Sequence, residues 1–140
     1  MKETIECETT IKISSHQYRL DKDAMKKSNK KLQVHIEEIR NCKDFECIYV
    51  LISKYTEKIK GLGSLYYYDV SLRIGWYLNI LPDKVHLHAG ALEGAKMIDK
   101  KFKFGAYKKT DFPYELYNKL KPYQIEAFLC LCMKHTKSKC

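Results

Sequence analysis

The sequence predicts a mainly α-helical protein, a single compact bundle of about six short helices in one domain, 1–140. Three observations predict this class. A chain of 140 residues is long enough to bury one hydrophobic core. Apolar residues recur three and four positions apart over long stretches, which is the helical period. Candidate caps and prolines separate these stretches, and no internal repeat is visible.

The first segment, 1–20, reads as an extended polar arm, because Thr9–Ser14 alternate polar and apolar residues. Asp21 then provides an N-cap for a helix over roughly Lys22–Arg40. Lysines occupy one face of this helix. Its apolar stripe consists of Met25, Leu32, Ile36 and Ile39.

Two further helices are predicted over 45–80. The first starts after the N-cap Asp44 and reaches about Lys60, with helical spacing of its apolar residues. The second has Ser64 as N-cap and reaches about Ile80. It is apolar around most of its circumference, which predicts a central position. At least two of its three consecutive tyrosines, Tyr66–Tyr68, must then face the core.

The segment 81–135 is predicted to hold the C-terminal helices. “LPDKVHLHAG” is predicted as a non-helical break between helices. “ALEGAKMIDK” is predicted to form a short helix, and “FKFGAYKKTDF” a loop or hairpin. Pro113 and Pro122 start the last two helices, because proline suits the first helical turn.

The formal net charge is +9. Three lysine-rich clusters contribute to it, at Lys22–Lys31, at Lys100–Lys109 and in the final “KHTKSKC”. A surplus of this size favours a polyanionic partner, since each neutralised phosphate releases condensed counterions. The alternative is a lysine-rich composition that serves solubility alone, and the charge by itself leaves both open.

No apolar run approaches the length of a membrane span, and “MKETIECETT” has no hydrophobic signal core. We therefore expect a cytoplasmic protein that does not bind membranes, with reduced thiols. The spacings of the six cysteines match no zinc or iron–sulfur pattern, so we expect no metal and no cofactor. Cys130 and Cys132 lie in an apolar run and are expected to be buried.

The stretch “IKGLGSLYYYDVSLRIG” places Gly61 and Gly63 on either side of Leu62, just before Ser64. A helix, a small–hydrophobic–small turn and a second helix form the helix-hairpin-helix arrangement. Glycine adopts positive φ and has no Cβ, so the chain can turn sharply and a nucleic-acid backbone can approach. The amides and dipole at the next helix start favour a phosphate. A turn that merely ends a helix remains the alternative.

Leu62 is expected to turn inward and hold the two helices together. Arg19, in the polar segment “SHQYR”, could reach a phosphate or Asp69. Asp69 and Arg73 have the i, i+4 spacing of a helical ion pair. A purely structural ion pair is therefore the alternative to a functional role for either residue. The candidate nucleic-acid-binding residues are Lys60, Gly61, Leu62, Gly63, Ser64, Arg19, Arg73, Lys108 and Lys109.

The stretch “IKGLGSLYYYDVSLRIGWYLNILPDKVHLHAGALEGAKMI”, Ile59–Ile98, resembles the core of the helix-hairpin-helix DNA glycosylases, the endonuclease III superfamily. In that family a catalytic aspartate heads the helix that follows the hairpin, a buried helix and a loop. His88 falls where this aspartate is expected. The resemblance therefore implies His88 as a catalytic candidate, with Asp69 and Asp83 as alternative carboxylates.

The chain also departs from that family. Leu65 stands where its lyases carry a lysine, and its iron–sulfur cysteines are missing. An imidazole cannot stabilise a cationic sugar as an aspartate does, although it could act as a general base. The pattern “SHQYRL … GLGSLYYYDVSLRIG … VHLHAGALEGAK … LKPYQIEAFLC” is also similar to a group of small uncharacterised bacterial proteins with a “GIG…YDTALRIG…YLHAG” core, which implies no activity.

The sequence thus favours a DNA-binding helix-hairpin-helix protein, without sequence preference, in DNA repair or defence. Its partner would be DNA, held by backbone contacts. One alternative is a diverged DNA glycosylase-like enzyme that uses His88 in place of the family aspartate. Another is a protein–protein adaptor in which the hairpin only turns the chain. Whether the protein is an enzyme stays open at this point.

Overall fold

The computed structural model describes residues 22–137, and the side chains of residues 22–132. The expected arm 1–20 and the expected cap Asp21 lie outside this part of the chain. Within it the chain forms seven α-helices and a two-stranded sheet, which confirms the mainly α-helical class. Internal contacts divide the chain into two compact units at Leu81 and Pro82, and each is described by itself. The single-domain expectation stays a prediction.

The first unit contains four helices. They are α1 (Lys22–Val34), α2 (Ile36–Arg40), α3 (Phe45–Thr56) and α4 (Ser64–Leu78). Helices α1, α2 and α4 all pack on α3. The centre of the core consists of Leu32, Ile39, Ile48, Ile52 and Ile74, which are fully buried. A buried hydrogen bond of 2.7 Å, donated by the Tyr66 hydroxyl to Ser28 Oγ, joins α4 to α1.

The single helix expected over Lys22–Arg40 is in fact two helices, separated at His35. His35 has φ −106° and ψ 20°, outside the helical range, and its amide donates to the Leu32 carbonyl at 3.2 Å. Its ring stacks on Tyr55, with 3.6 Å between centroids. This contact with α3 accompanies the local break. The predicted stripe is otherwise confirmed, since Met25, Leu32 and Ile39 are buried.

Asp44 caps α3 as predicted, because its side chain accepts a hydrogen bond of 2.7 Å from the Cys47 amide. The helix ends at Thr56, earlier than the expected Lys60. There the Ile59 amide donates to the Thr56 carbonyl at 3.0 Å, which tightens the chain into a turn. The segment from Glu57 to Gly63 therefore forms a true connection between α3 and α4.

Helix α4 begins one position earlier than expected, since its N-cap is Gly63 and Ser64 is its first residue. It ends at Leu78, and the C-cap residue Asn79 adopts the left-handed conformation common after a helix. Tyr66 and Tyr68 are buried, which confirms that two of the three tyrosines face the core. The helix is nevertheless not enclosed on all sides, because Trp76 and Tyr77 are more than half exposed.

The second unit combines three helices with two strands. These elements are β1 (Val85–Leu87), α5 (Ala89–Ile98), β2 (Gly105–Tyr107), a 3-10 turn (Lys109–Asp111), α6 (Tyr114–Tyr117) and α7 (Pro122–Lys137). The strands are antiparallel, with His86 opposite Ala106. Helix α5 packs closely on α7. The core consists of Val85, Leu87, Ala91, Ala95, Phe102, Phe112, Ile125 and Leu129.

The sequence predicts a non-helical break where β1 lies and a loop or hairpin where β2 lies. It does not predict that these two segments pair with each other, and the structure shows that they do. Pro122 starts α7 as predicted, whereas Pro113 is the N-cap of a helix of only four residues.

Two expectations about the cysteines are wrong. Cys42 and Cys47, expected to be reduced, form a disulfide between the end of α2 and the start of α3, with their Cα atoms 5.6 Å apart. Cys130 and Cys132 are only half-buried, rather than enclosed in the core.

Candidate functional site

The connection between α3 and α4, Glu57–Gly63, is the candidate site and is called the hairpin here. Gly61 and Gly63 are exposed, and Leu62 between them is buried with 8% of its surface accessible. Gly61 has φ +96°, a conformation that L side chains rarely adopt. Gly63 is extended instead, with φ −134°. Both glycines were expected to be able to adopt positive φ, but of the two only Gly61 does so.

Space around the hairpin is open on the glycine side. A Cβ added at Gly61 or at Gly63 would have no heavy atom within 4 Å. The N-cap Gly63 has no side chain with which to cap the first amides of α4. The start of a 15-residue helix is thus bordered by exposed, sterically open backbone. Such a helix start favours an anion, because its amides and dipole carry partial positive charge.

Tyr67 fixes the shape of the hairpin. Its hydroxyl donates a hydrogen bond of 3.2 Å to the Leu62 carbonyl. Its ring meets Tyr49 of α3 edge-on, with 6.3 Å between centroids. Burial, and secondly the Glu57 carboxylate, raise the pKa of the Tyr67 phenol, so the hydroxyl keeps its proton. The turn is therefore held by side chains of both flanking helices.

The charge around the hairpin is mixed but positive. Lys58 and Lys60 are exposed, and Glu57 opposes them with one exposed carboxylate. Of the predicted set, Lys60, Gly61, Leu62, Gly63 and Ser64 are together by their position in the chain, with Leu62 turned inward as expected.

Helix α1 adds a larger positive surface to the same unit. Its buried face consists of Ala24, Met25, Ser28 and Leu32. Its exposed face carries Lys22, Lys26, Lys27, Lys30 and Lys31, with Asp23 as the acidic residue among them. Because Ser28 bonds to Tyr66 in the first turn of α4, α1 passes beside the helix that follows the hairpin. These lysines were noted as a cluster in the sequence but were not predicted as site residues.

The structure does not bring Arg73 to the hairpin. It lies nine residues after Ser64 on α4, about 13 Å along the helix axis and on the opposite side. Arg73 and Asp69 are both half-buried. Arg19 lies outside the described residues, and Lys108 and Lys109 lie in the second unit, exposed after β2.

The predicted catalytic residues are also distributed over both units. Asp69 belongs to the first unit, whereas Asp83 and His88 belong to the second. Asp83 is exposed just before β1, and His88 is the N-cap residue of α5 with 3% of its surface accessible. The His88 side chain does not cap the helix. The next residue, Ala89, has φ +46°, which is uncommon for alanine.

His86 lies two residues before His88, in the middle of β1, and only 9% of its surface is accessible. Burial lowers the pKa of its imidazole, and Lys84 acts in the same direction while Asp83 opposes it. His86 is therefore held in its neutral form at pH 7. In the described part of the chain, no group of three or more histidine, cysteine or acidic residues could hold a metal ion.

One exposed residue of the second unit was missed by the sequence reasoning. Phe104 has 64% of its surface accessible and stands among the lysines of the cluster Lys100–Lys109. The signal was present as an aromatic residue inside a basic run, but its exposure could not be read from the sequence.

No helix in residues 22–137 combines the length and the apolar composition needed to cross a bilayer. Comparison of the chain with protein-family models, with curated proteins and with solved structures found no match.

Proposed function

We propose that this chain is a DNA-binding protein that holds the phosphate backbone through a helix-hairpin-helix formed by α3, the hairpin and α4, in the setting of DNA repair or defence. The observation that carries the proposal is the open backbone at Gly61 and Gly63, next to the start of α4. A phosphate could approach this backbone without displacing a side chain.

The positive surface of the first unit supports the same partner. Lysines at i and i+4 along α1, such as Lys22 and Lys26 or Lys27 and Lys31, repel each other and destabilise a helix by about 0.2–0.5 kcal/mol per pair. A surface that serves solubility alone would mix both signs. A polyanion would remove this repulsion, and Lys58 and Lys60 add to the attraction at the hairpin itself.

Binding of this kind is independent of sequence. Main-chain amides and lysine ammonium groups recognise phosphates, and phosphates carry no base identity. We therefore expect similar affinity for unrelated duplexes and a strong dependence on salt.

The glycosylase-like alternative gains no support from His88, because a ring with 3% accessibility cannot meet an extruded base in this conformation. The hairpin gives no support to the adaptor alternative, because its exposed residues are glycines and charged residues rather than an apolar surface.

The test is a fluorescence-anisotropy titration of two unrelated labelled 20-base-pair duplexes over a series of salt concentrations. We expect equal affinities for both, and a slope of log K against log salt of about −3 or steeper, as three or more phosphate contacts give. Gly63→Val should weaken binding at least about tenfold, because its side chain would cover the amides of α4. The DNA should be recovered uncut.

Three further measurements make the result specific. Gly63→Val should melt like the parent protein, since Gly63 has an ordinary φ and open space around it. Lys60→Ala should reduce the salt slope by about 1. Lys43→Ala should weaken binding less, because the exposed Lys43 lies at the other end of α3, about 18 Å away. The proposal would be contradicted if the affinity for the duplexes did not change with salt concentration and was the same for the parent protein and Gly63→Val.

A further inference from the structure

The two short strands of the second unit differ in burial, because all three residues of β1 are buried whereas β2 exposes Ala106. Val85 and Leu87 of β1 are fully buried in the core. Side chains alternate along a strand, so Phe104, Ala106 and Lys108 share one face of β2 and its two flanking positions. All three are exposed, and we call them the ribbon shelf.

The backbone on both sides of Phe104 is held in place. Phe102 stacks on Phe112 with 4.7 Å between centroids, and it meets Tyr107 edge-on at 5.1 Å. The Lys103 amide donates a hydrogen bond of 3.1 Å to the Tyr107 hydroxyl. Phe104 is thus presented to solvent by a loop whose neighbouring residues are anchored in the core.

The surroundings of Phe104 are basic. Exposed lysines precede and follow it, with Asp99 and Asp111 as the acidic residues of the segment. The lysines are Lys100, Lys101, Lys103, Lys108 and Lys109. Lys101 is paired with Asp99, with 3.4 Å between Nζ and Oδ2. The small side chain of Ala106 leaves the shelf flat between Phe104 and Lys108, whose Cα atoms are about 13 Å apart along an extended chain.

We propose that the ribbon shelf binds an unpaired nucleotide, with its base stacked on the Phe104 ring and a neighbouring phosphate near Lys108. An open aromatic face beside cations is the arrangement that holds single-stranded nucleic acid, since every base has a face to stack and a phosphate to neutralise. This inference rests on the proposed function for the nature of the partner. It adds a preference for unpaired over paired strands, because a paired base is already stacked on both sides.

The experiment compares a labelled oligo(dT) of 15 nucleotides with a 20-base-pair duplex. Phe104→Ala should weaken binding of the oligonucleotide at least about fivefold and change duplex binding less than about twofold. Phe104→Tyr should keep the parent affinity, because its ring still stacks. The matched control is Tyr114→Ala, which removes an aromatic ring with 60% accessibility in the same unit, next to Glu115 instead of a lysine. It should bind both probes like the parent.

The inference is overturned if Phe104→Ala leaves oligonucleotide binding unchanged, or if it weakens both probes equally. It is also overturned if Phe104→Ala abolishes association with anionic lipid vesicles and leaves oligonucleotide binding intact, since the shelf would then be a membrane contact. Gly63→Val on the same probes separates the two proposals. If Gly63→Val has no effect and Phe104→Ala is selective, the hairpin fails and the ribbon shelf stands. If the parent binds neither probe, both fail.

Discussion

A Cβ added at Gly63 in the hairpin would have no heavy atom within 4 Å, whereas one added at Gly94 of α5 would lie 2.1 Å from the Leu129 carbonyl oxygen. Gly94 is needed because α5 and α7 are too close for any side chain there. Gly63 is under no such packing requirement, and its φ suits any residue. The comparison separates a glycine required for folding from one whose removal should affect only what binds outside.

The strongest test of this comparison is Gly94→Ala. We expect it to destabilise the protein by about 3 kcal/mol, because the new methyl group must push apart two helices that meet through backbone atoms. Urea unfolding followed by circular dichroism measures the effect. Gly90→Ala on the same helix is the matched control, since the nearest atom to its Cβ would be the side-chain Sγ of Cys130 at 3.0 Å, and the nearest backbone atom, the Cys130 Cα, would be 4.0 Å away. If both variants lose equal stability, the close backbone contact is not the cause.

A second, smaller effect is expected inside the hairpin itself. Gly61→Ala should cost about 1–2 kcal/mol, because Gly61 has φ +96° and alanine is strained at positive φ. Gly63→Ala should change stability by less than about 0.5 kcal/mol. Fluorescence of Trp76, which is the single tryptophan of the chain, follows unfolding of the first unit. Equal losses in the two variants would show that backbone conformation does not distinguish these glycines.

The third effect concerns pH and the second unit. The pKa of His86 is lowered by burial, so the unfolded chain takes up a proton at a higher pH than the folded chain does. The neutral His86 imidazole makes its full contribution to stability above pH 6.5, the ordinary pKa of the unfolded chain. This contribution is lost as the pH falls from that value toward the lower pKa that His86 has in the folded protein. The slope is at most about 1.4 kcal/mol per pH unit. Urea unfolding between pH 7 and pH 5 measures it.

His86→Gln should reduce this slope, because glutamine does not titrate in that range. A slope that remains unchanged in His86→Gln would assign the pH dependence to other groups. The hairpin carries no histidine. The same pH change should therefore not alter the difference in unfolding free energy between Gly61→Ala and Gly63→Ala.

The hairpin shows how far sequence reasoning reaches toward a site. The inward position of Leu62 followed from two flanking helices and a glycine on each side, because all of these signals lie within one short stretch. The roles of the two glycines did not follow, since only the folded chain shows positive φ at Gly61 and an ordinary φ at Gly63. The same holds for Phe104, whose exposure depends on how Phe102, Tyr107 and Phe112 fill the core beneath it.

The sequence by itself determined the helical class, the cap at Asp44, the start of α7 at Pro122 and the burial of Met25 and Leu32 on α1. These features depend on helical periodicity and on hydrogen bonds between near neighbours, so local residues encode them. Only the tertiary structure decided the break at His35, the pairing of β1 with β2 and the burial of His88. Each of these depends on surfaces contributed by distant parts of the chain, whose meeting no local pattern specifies.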